Sequence, residues 1–272
     1  MKCPRITSTS NPHIKETLNI LKKRGRQMPV PILIEGIHLI EMALNAGAAV
    51  DKVFFTAALA AKEEGRRMLE MLPRKRAGFF EVSDKVMDRL TDTESPQGII
   101  AVVSYRPVQL DEVKTSDMPL VTVLDGVRDP GNVGTIIRTS DAAGADAVVI
   151  LPGTCDPFMP KPLRASAGSV FGIPVVETGP AALMKWLKDR SVGLAVTAAD
   201  AADTIYDADL TLPVAIAFGN EAHGISGALR ESAGLTVSIP IYGGAESLNV
   251  GSAAAICLYE AVRQRRAGPR RT

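Results

Sequence analysis

The sequence predicts an α/β protein in which a mostly parallel sheet fills the C-terminal part and a smaller α/β unit precedes it. Three observations carry this. From Leu120 onward, apolar runs of about four to six residues alternate with helical stretches, the pattern of strands covered on both faces by crossover helices. Before Ser104, shorter strands and helices alternate with apolar segments of their own. Between Tyr105 and Pro119 both patterns lapse, as Arg106-Pro107 gives way to mixed polar residues through Asp117. The expected boundaries are therefore 1–106 for the first unit, 107–118 for a linker and 119–272 for the second. Two domains also fit the 272-residue length at roughly 150 residues each.

In the first unit, Asn11-Pro12 reads as a cap and first-turn pair, followed by helical spacing at Ile14, Leu18 and Leu21. A short strand at 32–34 ends at Glu35-Gly36, and a helix at 37–45 is stopped by Gly47. Residues 53–56 are a strand, 57–71 are helical, and 79–82 and 99–104 are further strands. In the second unit the strands expected are 120–124, 147–151, 174–176, 194–197, 214–218 and 237–241. Helices at 133–143, 163–170, 180–189 and 225–232 separate most of them, and a last helix runs over 250–265. Ligands of such sheets bind beyond the carboxyl ends of the strands. The polar, glycine-rich loops of this chain fall there.

Composition excludes several classes. Apolar residues make up 46% and charged residues 22%, which argues for a globular rather than a disordered chain. No apolar run approaches the ~18 residues of a membrane helix. Met1 to Arg5 has no apolar segment behind it, so neither a secretory signal nor a membrane partner is expected and a cytoplasmic location is. Cys3, Cys155 and Cys257 are too far apart for a disulfide framework or a metal knuckle, and no metal site is expected. No Gly-x-Gly-x-x-Gly follows a strand and no P-loop is present. A Gly-x-Ser-x-Gly elbow is absent as well.

The net charge of +1 hides an asymmetry: residues 1–106 carry 17 basic against 12 acidic groups, residues 107–272 carry 14 against 18. Lys2, Arg5, Lys15, Lys22, Lys23, Arg24 and Arg26 face only Glu16 within the first thirty residues. Such a cluster is either a footprint for a nucleic-acid backbone or a solvated helix face. With only 12 aromatics in the chain, base stacking is not an obvious second mode.

Three loops carry the candidate chemistry. The first is Asp125-Gly-Val-Arg-Asp-Pro-Gly-Asn-Val-Gly134, followed by Thr135-Ile-Ile-Arg138-Thr139. Pro130-Gly131 is a turn signal and Asn132 reads as the N-cap of a helix beginning at Val133. Arg138 then lies about 140° around that helix from Val133, off the packed face. It is free to meet a phosphate or an anionic oxygen, or to sit in a surface ion pair. The second loop, Phe218-Gly219-Asn220-Glu221-Ala222-His223-Gly224, sets a carboxylate between two glycines. Glu221 is a ligand-side group or a cap for the following helix, and His223 reads as a loop residue. The third, Ile239-Pro240-Ile241-Tyr242-Gly243-Gly244-Ala245-Glu246-Ser247-Leu248-Asn249, enters the last helix with Asn249 as its default N-cap.

Together, Asp129-Pro-Gly-Asn132-Val-Gly134-Thr-Ile-Ile-Arg138-Thr139, Gly219-Asn-Glu221-Ala-His-Gly224 and Ile239-Pro…Ser247-Leu-Asn249-Val250 resemble, in order and spacing, the three motifs of the SpoU/TrmH family of RNA ribose 2′-O-methyltransferases. Pro160-Lys-Pro-Leu-Arg164-Ala-Ser166-Ala-Gly168-Ser169 resembles that family's linking segment. Lys22-Lys23-x-x-Arg26…Ile34-Glu35-Gly36 and Thr93…Gln97-Gly98-Ile99 resemble the substrate-binding domain attached to many of its rRNA-modifying members, although Ile32 stands where an aromatic is common. The resemblance implies a deep trefoil knot in the C-terminal domain, the SPOUT fold. It also implies an S-adenosylmethionine cofactor against Gly219, Ile239 and Leu248, and a homodimer whose active site is completed across the subunit interface. Arg138, Glu221 and Asn249 match the catalytic and site positions. Because a guanidinium stays protonated, Arg138 is expected to stabilise the developing alkoxide rather than to remove the proton. Glu221 is expected to orient Arg138 or the knot loops, and Asn249 to position the substrate. Lys22, Lys23, Arg24 and Arg26 are expected to contact phosphates of a ribosomal RNA. A transfer-RNA enzyme, a drug-resistance methylase and a non-catalytic RNA-binding protein are the alternatives.

Overall fold

In a computed structural model of the chain, the described residues are 3–20, 29–73, 77–93 and 95–267. They form two compact units: Met1–Pro107 with Phe158–Arg164, and Val108–Pro157 with Ala165–Thr272.

The first unit is a five-stranded mixed sheet with helices. Its strands are β1 (Arg5–Ile6), β2 (Val30–Glu35), β3 (Ala49–Thr56), β4 (Gly78–Val82) and β5 (Ile99–Tyr105), in the order β1-β4-β3-β5-β2. β3 and β4 run parallel, while β5 is antiparallel to β2 and β3. Helices α1 (Pro12–Ile20) and α2 (Ile37–Asn45) stand where the spacing predicts. The helix expected over 57–71 is broken into α3 (Ala57–Ala61) and α4 (Glu63–Met71). Lys62 is extended there, ending one helix and starting the next, and Gly65 lets the two approach: a Cβ on it would lie 2.2 Å from the Leu59 carbonyl oxygen. A further helix, α5 (Asp84–Leu90), is too short for periodicity to reveal. Ile14, Phe54, Phe80, Val86 and Met87 meet in the core of this unit. The sequence-distant segments Glu35-Gly36 and Thr93…Gln97 are joined, as Glu35 accepts hydrogen bonds from the Thr91 and Thr93 hydroxyls and from Gln97 N–H.

The second unit is built on an all-parallel seven-stranded sheet. The strands are β6 (Leu120–Asp125), β7 (Ala147–Ile150), β8 (Val175–Glu177), β9 (Gly193–Thr197), β10 (Asp203–Thr204), β11 (Val214–Gly219) and β12 (Leu235–Ser238). Their order is β10-β12-β9-β11-β6-β7-β8. β11 and β6 sit centrally and are buried along their whole length, which is why both read as continuous apolar runs. After α6 (Pro130–Ala142) comes α7 (Pro160–Ala165), which falls almost wholly in the segment that clusters with the first unit; the remaining helices of the second unit are α8 (Ser169–Gly172), α9 (Pro180–Asp189), α10 (Gly227–Ser232) and α11 (Val250–Ala267). The single helix expected over 163–170 is instead two, because Ala167 and Gly168 adopt positive φ of 49° and 95° between them. The strand expected to reach 241 stops at Ser238, before Pro240, which has no N–H for a ladder. Residues 110–112 form a 3-10 turn and Val113 enters the core of this unit. No helix among the described residues is long and apolar enough to cross a membrane.

The last helix is fastened along one face and at its C-terminal end. Ala254, Cys257, Leu258 and Ala261 are buried on one side, and burial pushes the Cys257 thiol up to about 12, so it packs as an inert apolar group. At its C-terminal end the Arg265 guanidinium donates to the carbonyl oxygens of Leu210 (3.1 Å), Met118 (2.6 Å), Pro119 (2.9 Å) and Leu212 (2.9 Å). This ties α11 to the segments entering β6 and β11. Arg265→Ala strands those carbonyls and is expected to lower stability by about 2 kcal/mol, measured as a lower urea midpoint with unchanged slope. An unaltered midpoint contradicts the clamp.

Candidate active site

A cavity of about 470 Å³ opens at the carboxyl ends of β9, β11 and β12. Its size falls in the range of small-molecule sites. Thr197, Gly219, Asn220, Glu221 and Ser247 supply polar lining, and Val237, Ile239, Ile241, Leu248 and Ala253 supply apolar walls. Gly219, Ile239 and Leu248 are thus brought together, as are Glu221 and Asn249. Residues 241–249 are all exposed, and the backbone of 241–248 makes no hydrogen bond to any described residue. Apolar walls beside unengaged N–H and C=O groups suit a flat, polar-edged heterocycle such as a nucleoside.

Glycine is required at position 219 for the loop to close. A Cβ there would lie 2.2 Å from the Gly224 carbonyl carbon and 2.4 Å from Ile225 N. Across this gap Asn220 and Gly224 pair through two backbone hydrogen bonds of 2.9 and 2.8 Å, with Gly224 at φ 68°. The Asn220 side chain folds the turn inward, accepting from the N–H groups of Ala222 and His223 and donating to Gly126 O at 2.7 Å. Asp125, at the end of β6, accepts from Ser226 N at 2.7 Å. The ends of adjacent strands are therefore laced together by short polar side chains.

The helix α6 starts three residues before the expected position. Asp129, not Asn132, is its N-cap, accepting from Asn132 N at 2.9 Å, with Pro130 in the first turn. This frees the Asn132 side chain, which donates to Glu221 Oε1 (3.0 Å) and accepts from Asn249 Nδ2 (2.9 Å). Glu221 also accepts from the N–H groups of Arg128 and Asp129, both at 3.2 Å. It caps a helix, but the one some ninety residues upstream rather than α10 (the Arg128 bond spans 93 positions). Asn249 caps α11, its Oδ1 accepting from Gly251 N (2.9 Å) and Ser252 N (3.2 Å), while its amide nitrogen holds Asn132. Asn132 is thus the residue that joins all three loops. Its place in the first motif was the only sequence signal, and the default capping role concealed it. Partial burial pushes the Glu221 carboxyl up, but the hydrogen bonds from Asn132 and from backbone N–H groups outweigh it and hold the group below the usual carboxylate range.

Arg138 stands apart. It is exposed on α6, is absent from the cavity lining, and forms no hydrogen bond or ion pair with any described residue. It lies six positions beyond Asn132, roughly 9 Å along the helix axis. Within this chain Glu221 therefore holds the loop leading into α6. Lys22, Lys23, Arg24 and Arg26 lie outside the described residues. Among the described residues, no group of three or more His, Cys, Asp or Glu could hold a metal ion.

Comparison with known proteins extends these findings. Residues 119–259 match the model of the SpoU rRNA Methylase family, and residues 11–101 match an MRM3-like substrate binding domain. The 23S rRNA (guanosine(2553)-2′-O)-methyltransferase RlmP of Bacillus subtilis is 36% identical over 94% of this chain and 98% of its own. The 23S rRNA (uridine(2479)-2′-O)-methyltransferase of Streptomyces viridochromogenes is 31% identical over 97% of this chain and 93% of its own. Among solved structures, the SpoU methyltransferase AviRb from S. viridochromogenes in complex with AdoMet superposes with a TM-score of 0.86. That pair shares 30% identity over 95% of this chain and all of the other.

Proposed function

This chain belongs to the SpoU rRNA methylase family, and from that premise we propose which of its residues carry out an S-adenosylmethionine-dependent methyl transfer to a ribose 2′-hydroxyl of ribosomal RNA. The single observation that carries the assignment is the convergence of the three loops: Glu221 and Asn249, joined through Asn132, frame the cavity that Gly219, Ile239 and Leu248 line. When bound there, the cofactor supplies an electrophilic methyl group. Gly219 keeps the loop closed against the cavity, and Ile239 and Leu248 provide its apolar walls. Glu221, ionised at neutral pH, fixes the entry of α6. Asn249 fixes the start of α11 and the position of Asn132. Arg138, in the first motif, offers a cation for a developing 2′-alkoxide.

Because Arg138 lies outside the cavity of its own chain, we infer a homodimer in which it completes the site of a second copy. The outward side of α11 favours this: Ile256 and Val262 are half-buried and Tyr259 is 50% exposed, on the face opposite Cys257 and Ala261. Family membership supports the trefoil knot expected of this domain. Residues 1–106 serve as the rRNA-binding domain, with Lys22, Lys23, Arg24 and Arg26 on phosphates, and residues 119–272 as the methyltransferase domain. The enzyme works in the cytoplasm. Tritiated methyl transfer to rRNA from a strain lacking the enzyme, followed by mapping of the 2′-O-methyl site, tests the reading. No incorporation into rRNA or ribosomal particles overturns it.

Two substitutions separate positioning from folding. Asn249→Asp keeps the capping oxygen and loses the donor to Asn132, so the melting temperature should hold while kcat falls about tenfold, in line with loss of one hydrogen bond to a reacting constellation. Glu221→Gln should lower kcat with little change in cofactor affinity. Because the folded carboxyl is depressed, its ordering effect is complete above the unfolded value near pH ~4.3 and is lost as pH falls through the lower folded value. Glu221→Gln should therefore flatten the acid limb of the stability profile. Wild-type rates in both variants contradict the assignment.

A further inference from the structure

Tyr242 has no task in the mechanism above, yet its position is unusual. It is 93% exposed, directly follows Ile241 in the cavity wall, and precedes Gly243-Gly244. Of the aromatic side chains, the others on the exposed surface are Tyr206 at 42% and Tyr259 at 50%, neither of them next in sequence to a residue of the cavity wall. The backbone around it, 241–248, makes no backbone hydrogen bond to any described residue, so no such bond among the described residues holds the aromatic there. A ribose whose 2′-oxygen reaches the cavity carries its base only a few bond lengths away, at the cavity's rim. An aromatic ring at that rim meets the face of such a base, and unstacked bases of single-stranded RNA are bound in just this way.

We propose that Tyr242 is a stacking platform for a base of the substrate RNA at the mouth of the cavity, and that it determines the affinity and placement of the target strand. The proposal rests on the rRNA methyltransferase reading. It makes stacking a second mode of RNA binding beside the basic N-terminal segment, despite the low aromatic content. Flanking glycines leave the platform free to follow bases of different size, and stacking is tolerant of base identity.

The test compares purified full-length wild type with Tyr242→Ala, Tyr242→Leu, Tyr242→Phe and Tyr242→Trp on unmethylated 23S rRNA with tritiated S-adenosylmethionine. Loss of one base stack predicts a kcat/KM for RNA lower by roughly 10- to 100-fold in the Ala and Leu variants and within about twofold of wild type in Phe and Trp. Cofactor affinity and oligomeric state should be unchanged throughout. Tyr242→Trp should show RNA-dependent fluorescence quenching above the fixed background of Trp186, which is only 5% exposed. An unchanged kcat/KM in Tyr242→Ala overturns stacking. So does rescue by Leu, which marks a generic apolar cover, and so does weakened cofactor binding or a shifted oligomer, which marks a lid or a subunit contact. A wild type that methylates no RNA overturns the reading beneath the proposal, whereas an active wild type matched by Tyr242→Ala overturns the stacking alone.

Discussion

Arg138→Lys is expected to bind rRNA and cofactor as wild type does and to lose about 100-fold or more in single-turnover rate, the loss seen when a preorganised donor to a developing oxyanion is removed. Lysine keeps the charge, so phosphate attraction survives. It loses the planar fork that can hold an oxygen and a neighbouring phosphate together. The side chain is exposed and makes no hydrogen bond or ion pair with described residues, so the substitution leaves the fold intact and the rate reports chemistry. Mixing Arg138→Lys subunits with subunits inactivated at Asn249 should restore part of the activity, because a hybrid pair retains one site with Arg138 from one copy and Asn249 from the other. A wild-type rate in Arg138→Lys removes the electrostatic role. Absent complementation removes the shared site.

Gly219→Ala is expected to abolish cofactor binding and to destabilise the second unit by about 3 kcal/mol, the upper range for forced overpacking. All three of the nearest atoms around the added Cβ are backbone, the closest 2.2 Å away, so no rotamer change relieves the clash. The loop cannot swing out cheaply either, since the Asn220–Gly224 pair, the Asn220 bond to Gly126 and the Asp125 bond to Ser226 all fix it. Gly227→Ala is the control: no atom lies within 4 Å of its Cβ, and it should melt and bind cofactor like wild type. Calorimetric titration with S-adenosylmethionine decides the matter. Equal affinity in Gly219→Ala means that the loop is more compliant than its hydrogen bonds indicate.

Where one local signal suffices, the sequence is legible. The central parallel strands are mostly apolar because both faces are covered, so the β6 and β11 segments could be located from their composition. Helices α2 and α9 stand at the predicted residues. The two misread helices share one cause, which is that backbone conformation at a few residues overrode a continuous pattern. Lys62 interrupts one expected helix, and Ala167-Gly168 interrupts another. The two-residue strands β1 and β10 exist only because a neighbouring strand offers them a partner.

What the sequence by itself determined is the α/β class, the course of the covered strands, and the order of the polar, glycine-rich loops at their ends. Each of these follows from residue type and local spacing. Only the tertiary structure decided the wiring. Asn132 meets Glu221 across 89 positions and Asn249 across 117. A half-buried amide chooses its partner from whatever loops the sheet brings alongside it, and no period of 2 or 3.6 residues carries that information.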